Sequence, residues 1–353
     1  MSALEKMKSF KLKEGGVKAS TFEQTDFFKK ENVVAPMLVP IINVAMSAKF
    51  DGGLPSGISM FAGDSKTFKT LLSLLCVKAY LEKYDDGIAI IYDSEFGITP
   101  EYLSSIGIDL NRVLHEPIDT IESLKFNMYK RLKDVESGDH VIFMIDSLGL
   151  LPSLKEAEDA EKENSVADMT RAKELKSFYR LVTGSLSIKN IPCVIVNHIY
   201  QEMKSYGKNV VTGGKGSVLA PNQIFIITKE KETDGSGKEK EIVGFTFNLR
   251  VHKSRFVKED SVFSFTVKYE TGLEYSSGLL DEALEAKLIK RTGNSYSVDG
   301  ELEKYSREEI ENNTKIWKKM IKNKEFEEFI KNKYLIKGSI LGEDFETNED
   351  DTI

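Results

Sequence analysis

Residues Gly63 to Thr70, GDSKTFKT, stand between a short apolar run, GISMFAG, and a long helical pattern carrying Leu71, Leu72, Leu74, Leu75 and Tyr80. In such a setting successive backbone N–H groups and a helix N-terminus cradle phosphates. Gly63, Asp64, Ser65, Lys66, Thr67, Phe68, Lys69 and Thr70 therefore form a candidate phosphate loop, with Lys69 placed for β and γ oxygens and Thr70 for Mg²⁺. The usual pattern is G-x-x-x-x-G-K-[ST], and Phe68 replaces its second glycine. A bulky residue there predicts a position that does not need a positive φ, because it would be strained. The plain alternative is a chance Lys-Thr pair at a helix start.

Two more apolar runs end in acids. HVIFMIDS closes at Asp146, where a carboxylate would orient a water around Mg²⁺; alone, it is equally an acid ending a buried strand. IAIIYDSE closes at Asp93 and Glu95. Glu95 is the favoured catalytic carboxylate, able to accept a hydrogen bond from water and align it with a γ-phosphate, against the bland reading of a solvated turn acid.

These groups need a scaffold that brings strand ends together. Short apolar runs (GISMFAG, GIAIIYD, HVIFMID, IPCVIVNH, QIFIITK) alternate with helix-length connections, which reads as an α/β domain with a mainly parallel sheet covered by helices on both faces. GFTFNLRVHKSR and SVFSFTVKY are closely spaced and suit antiparallel strands. Beyond Leu279 the pattern turns helical, through Leu280, Leu284 and Leu288, then Trp317, Met320 and Ile321, then Phe326, Phe329 and Ile330. The expected organisation is an N-terminal arm (1–30), a core (31–278), a small, mostly helical C-terminal domain (279–341) and an acidic tail (342–353). Ser2 and Glu5 are spaced as a capping box for a short first helix. The arm is either a frayed end or a contact with another subunit.

The 353 residues carry 49 basic and 56 acidic side chains, a net charge of −7. The last twelve residues, Gly342 to Ile353, hold six acids and no base, so the rest is close to neutral. A uniformly basic coat for nucleic acid is excluded, whereas a local basic groove is not. With 41% hydrophobic and 30% charged residues, and no apolar run of roughly 18 residues, the composition is that of a soluble protein that does not span a membrane. The opening residues have no signal-peptide core. Cys76 and Cys193 lie in apolar surroundings without a metal-spaced partner and read as buried reduced thiols, so the cytoplasm is the expected compartment.

From about Met37 to Val298 the chain resembles the RecA family of recombinases, and within it the UvsX-like recombinases of bacteriophages. The resemblance rests on YDSEFGITPEYL, VADMTRAKELKSFYRLVT, NIPCVIVNH, VHKSR and YSSGLLDEAL, in the family's order and at compatible spacings. Phe68 in the phosphate loop is shared with the phage subfamily. The resemblance implies a RecA-like ATPase core using ATP and Mg²⁺, with Glu95 as the water-activating glutamate and Tyr102 stacked on adenine. Thr99 stands where cellular homologues commonly have an acid, so adenine contacts differ there. His198 falls at the γ-phosphate sensor, commonly Gln in cellular members. Lys253 and Arg255 fall where the family supplies cations to the neighbouring subunit's ATP; one residue apart on a strand, they would point to the same side.

The resemblance also implies DNA contacts. Tyr200 to Ser217 carries four glycines, three lysines and two tyrosines between two core strands. It looks like the family's second DNA loop, with Lys204, Lys208 and Lys215 for phosphates and Tyr206 for bases. The first DNA loop would be Pro152 to Ala167, unexpectedly acidic here, which moves the expected contacts to the following helix with Arg171, Lys173 and Arg180. The implied function is ATP-dependent strand exchange by filaments on single-stranded DNA that pair with homologous duplex, in recombination, recombination-dependent replication and repair. Implied partners are further copies of the chain, a phage mediator and a single-strand-binding protein, in the host cytoplasm if the chain is phage-encoded. A ring-forming helicase motor and an ATP-binding scaffold without productive hydrolysis are the alternatives.

Overall fold

The computed structural model describes residues 2–8, 21–23, 33–136, 138–162, 170–201, 209–234 and 240–336. Its principal sheet contains β1 (Gly57–Gly63), β2 (Ile88–Asp93), β3 (Val113–Pro117), β4 (Val141–Asp146), β5 (Pro192–Asn197), β6 (Gln223–Asp234), β7 (Glu241–Lys253), β8 (Val262–Lys268) and β9 (Gly272–Leu273). The strands lie in the order β9-β8-β7-β6-β1-β5-β4-β2-β3. Neighbours from β6 to β3 are parallel. Neighbours from β6 to β9 are antiparallel. This is the mainly parallel, helix-flanked sheet expected from the sequence, including its antiparallel extension.

The apolar runs lack alternation because both sheet faces are covered. All seven residues of β1 and all six of β4 and of β5 are buried. Ile58, Met60 and Ala62 of β1 join a core with Leu124, Met128 and Leu132 of α3 (Ile121–Asp134) and Leu175, Phe178 and Val182 of α5 (Thr170–Ile188). Phe61 points to the other face, into a core with α1 (Pro40–Ser47) and α2 (Lys69–Lys83). Fully burying each such large side chain stabilises the fold by about 1.5–3 kcal/mol. Two shorter helices, α4 (Leu154–Glu161) and α6 (Gly214–Leu219), flank α5 in the chain.

The C-terminal helices Arg307–Asn312, Thr314–Met320 and Lys324–Tyr334 share the α1/α2 core. Trp317 is fully buried and donates its Nε1–H to Ile310 O at 2.7 Å, while Phe326 meets Phe50 with centroids 4.7 Å apart. A hairpin, Ile289–Thr292 with Ser295–Val298, interrupts the helical segment. At the other end, Glu5 and Ser2 exchange the reciprocal bonds of a capping box on the helix Ala3–Lys8. The acidic tail lies outside the described residues. Among the described residues, no helix is long and apolar enough to cross a membrane. Cys76 and Cys193 are buried and free, and burial pushes both thiols up in pKa.

Candidate nucleotide site and DNA-facing segments

Parallel pairing brings the carboxyl ends of β1, β2, β4 and β5 together, the place where open α/β sheets bind ligands. Register sets Asp93 beside Asp146 and Asn197 beside Ala62, one residue before Gly63. A cavity of about 270 Å³ opens there, lined by Ser65 to Leu71, Glu95, Tyr102, Val196, His198 and Phe247. Four groups selected from the sequence, namely the phosphate loop, Glu95, Tyr102 and His198, thus meet in one cavity. Asp146 sits close enough to Lys69 and Thr70 to interact with both.

The loop needs its glycine. A Cβ on Gly63 would stand 2.6 Å from Ile227 O and 2.8 Å from Thr67 Oγ1. Lys69 is buried, and its ammonium donates to Asp64 O at 2.6 Å with Thr67 Oγ1 at 3.4 Å. Burial lowers its pKa, with Glu95, Asp146 and Asp64 opposing. Lys229, at the edge of the site, donates to Lys66 O at 2.9 Å and braces the loop; sequence reasoning missed it, because a lysine on a long strand carries no signal of its own.

Phe68 corrects the expectation about φ. Its φ is +70°, the left-handed conformation that glycine supplies in the usual motif. The conformation persists because the ring is held, with centroids 4.8 Å from Phe247 and 5.6 Å from Phe265. Packing of the half-buried ring against β7 and β8 offsets a left-handed penalty of about 1–2 kcal/mol. The reading from sequence weighed the penalty and not the ring's partners on β7 and β8. Phe68→Gly is therefore expected to lower stability by about 1–2 kcal/mol in urea unfolding, and Phe68→Ala by more, since alanine loses the ring and keeps the strain. An alanine variant more stable than the glycine variant would contradict this balance.

The two acids at the end of β2, Asp93 and Glu95, have different tasks. Asp93 is 1% exposed; its Oδ1 accepts from Glu95 N at 3.1 Å and Phe96 N at 2.7 Å, and Oδ2 lies 3.1 Å from His115 Nε2. It shapes the turn that presents Glu95 to the cavity. Glu95 Oε1 lies 3.1 Å from His198 Nε2, which is also 3.3 Å from Ser147 Oγ. Tyr102 is half-buried on the short helix Pro100–Ser105, and Thr99 accepts from its backbone N–H at 3.2 Å as the helix N-cap.

Asp146 tests the fit to Mg²⁺. The Thr70 side chain stands close enough to the carboxyl to oppose the rise in its pKa, while Oδ1 is buried with no hydrogen-bond partner, an acceptor suited to a metal-bound water. Thr70 and Asp146 thus fit the cation, Asp146 through water. Burial, aided by Glu95 and Asp93, pushes Asp146 up to about 6. The proton must leave before the carboxylate can serve the cation's water, so Mg²⁺-dependent nucleotide affinity is expected to fall as pH drops through about 6. Titration calorimetry between pH 5 and 8 checks this, with Asp146→Asn expected to flatten the profile.

The segment Tyr200–Ser217 is not loop throughout. Strand Ile199–Gln201 pairs antiparallel with Asn209–Val211, and α6 follows. Asn197 anchors this ribbon: Thr212 Oγ1 donates to its Oδ1 at 2.6 Å, and Asn197 Nδ2 donates to Thr212 O at 3.1 Å. The ribbon thus begins directly after His198. Lys215 is exposed on α6; Lys204, Tyr206 and Lys208 lie outside the described residues. Lys173 and Arg180 are exposed on α5. Arg171 differs, donating to Leu151 O at 2.8 Å and Gly149 O at 2.7 Å, so it shapes the loop after β4. Of Pro152–Ala167, residues up to 162 are described, and Ser153 and Glu156 form a capping box that starts α4.

Lys253 and Arg255 do not share a strand as expected. β7 ends at Lys253; Ser254 then turns the chain, its Oγ accepting from Phe256 N at 3.0 Å and Val257 N at 3.1 Å, and Arg255 is exposed in that turn. Within one subunit neither lines the nucleotide cavity.

The RecA N-terminal domain family matches residues 37–274, spanning the strands and the cavity just described. The chain belongs to the RecA family of recombinases. It is 40% identical to the Recombination and repair protein of Enterobacteria phage T4 over 97% of this chain and 90% of that protein. Protein RecA of Clostridioides difficile is 24% identical over 70% of this chain and 69% of its own length, and Protein RecA of an Arthrobacter species 25% over 77% and 76%.

Proposed function

We propose that this strand-exchange recombinase binds and hydrolyses ATP between subunits of a filament on single-stranded DNA, and uses the nucleotide state to control its grip on DNA. The observation that carries the reading is His198. It lies against Glu95 in the nucleotide cavity and stands directly before the ribbon of the candidate DNA segment.

The phosphate loop's N–H groups and the N-terminus of α2 receive the triphosphate, and Lys69 exchanges the Asp64 carbonyl for β and γ oxygens. Thr70, and Asp146 through water, would hold Mg²⁺, whose charge would offset that of the phosphates. Tyr102 offers its ring to the adenine. His198 moves its Nε2–H from Glu95 to a γ oxygen, freeing the carboxylate to orient water in line with the γ-phosphorus and take its proton. Lys253 and Arg255 of the adjacent subunit approach the same phosphate and stabilise the charge spreading in the transition state. Lys173, Arg180, Lys204, Lys208 and Lys215 serve DNA phosphates and Tyr206 the bases; Arg171 positions the loop that precedes them. The N-terminal arm serves as a subunit contact, and a phage mediator and a single-strand-binding protein are the expected accessory partners.

The test is joint-molecule formation. With ATP and Mg²⁺, the protein is expected to pair single-stranded DNA with homologous duplex and to leave a blunt duplex without homology intact. Unwinding of the blunt duplex would favour a translocating motor; ATP binding with neither pairing nor hydrolysis would favour a scaffold.

A further inference from the structure

Lys253 ends β7, and its ammonium is fully engaged within its own subunit. Nζ donates to the carbonyls of Val218 at 3.0 Å, Leu219 at 2.7 Å and Pro221 at 2.7 Å. Val218 and Leu219 are the last two residues of α6, where helix carbonyls have run out of intrahelical donors. A cation there satisfies them and complements the negative end of the helix. An ammonium has three N–H groups, and three carbonyls take them. The capped helix follows Gly213, its N-cap, whose φ is +97°, and carries exposed Lys215.

We propose that Lys253 has two alternative sets of acceptors: the carbonyl end of α6 in the isolated subunit, and the triphosphate of the adjacent subunit in the filament. The proposal rests on the trans-acting reading of Lys253 given above. Three N–H groups cannot serve both sets at full strength, so ATP on one subunit competes with the α6 cap of the next. Loss of the cap releases α6, and Lys215 with it, to seat on DNA. The nucleotide dependence of DNA binding is thereby written into the subunit boundary, because the ATP that releases each α6 belongs to a neighbour. The cap also explains why a residue that lies outside its own nucleotide cavity is held in a fixed, half-buried position.

The experiment compares full-length wild type with Lys253→Met, using backbone hydrogen exchange across residues 214–221 in nucleotide-free protein. In parallel, affinity for oligothymidine is measured with and without a non-hydrolysable ATP analogue. In the variant, exchange in this segment is expected to rise about tenfold as the capped helix opens more often. Its nucleotide-free DNA affinity is expected to increase about threefold, with the affinity ratio between the two conditions shrinking toward one, because the cap no longer holds the closed state. If Lys253→Met does not fold, Lys253→Arg reads the same segment; its planar fork cannot converge on three carbonyls, and exchange is expected to rise several-fold. Unchanged exchange with DNA affinity lost only in the presence of the analogue would confine Lys253 to the ATP site and overturn the proposal. If the wild type shows no analogue-dependent DNA binding, the trans-acting reading fails instead, and the exchange result still decides whether the cap exists.

Discussion

Glu95→Gln is expected to lower ATP turnover by about 10²-fold or more, the range for loss of a positioned general base, while leaving nucleotide binding intact. The glutamine amide fits the same space beside His198 but cannot take a proton from water. Asp93 makes this effect specific: it binds the backbone of Glu95 and Phe96, so the turn keeps its shape when the Glu95 side chain changes. On the proposed mechanism hydrolysis ends the high-affinity state, so the variant's filaments are also expected to outlast those of the wild type on washing out free protein. Single-turnover kinetics and filament lifetime in one preparation check both halves. A variant with slow turnover and unchanged lifetime would separate hydrolysis from filament release. Lys69→Ala differs in kind, since it removes the ammonium that meets the phosphates and is expected to weaken ATP binding itself.

The second large effect concerns assembly. Arg255→Ala is expected to reduce hydrolysis by roughly 10³-fold through loss of a cation that completes the neighbour's site. Glu95→Gln and Arg255→Ala damage opposite faces of a subunit, so each is nearly inactive alone, and a mixture is expected to recover. In a random equal mixture, roughly a quarter of the boundaries pair an intact Glu95 with an intact Arg255, as a head-to-tail interface requires. Steady-state hydrolysis of the mixture on single-stranded DNA reads this directly. No recovery would place Arg255 outside the neighbour's chemistry.

Much of this site is legible in the sequence because its groups are tied to strand ends. Gly63, Asp146 and His198 each follow an apolar run, and parallel pairing then brings the ends of those runs together whatever the detail of the helices. The helix after the phosphate loop and the reciprocal Ser2/Glu5 cap were legible from local periodicity and spacing. What was not legible depends on partners far along the chain. The φ of Phe68 is decided by Phe247 and Phe265, nearly two hundred residues away, and local sterics alone give the wrong answer. Arg171 looks like a DNA-facing cation on a helix, yet the carbonyls of Gly149 and Leu151 take its donors. Lys253 and Arg255 read as one strand pair until Ser254 turns the chain between them. The clamp of Asn197 on Thr212 was equally hidden, since an asparagine before a histidine has no spacing signal that names a partner fifteen residues on.

The central claim is that one nucleotide site, completed by a second subunit, answers to DNA. The most direct measurement is ATP hydrolysis with and without single-stranded DNA across a range of protein concentrations. Turnover that rises steeply and cooperatively with protein concentration, and strongly on adding single-stranded DNA, is the predicted result. Hydrolysis proportional to protein concentration and indifferent to DNA would contradict it, because such a site would be complete within a single chain.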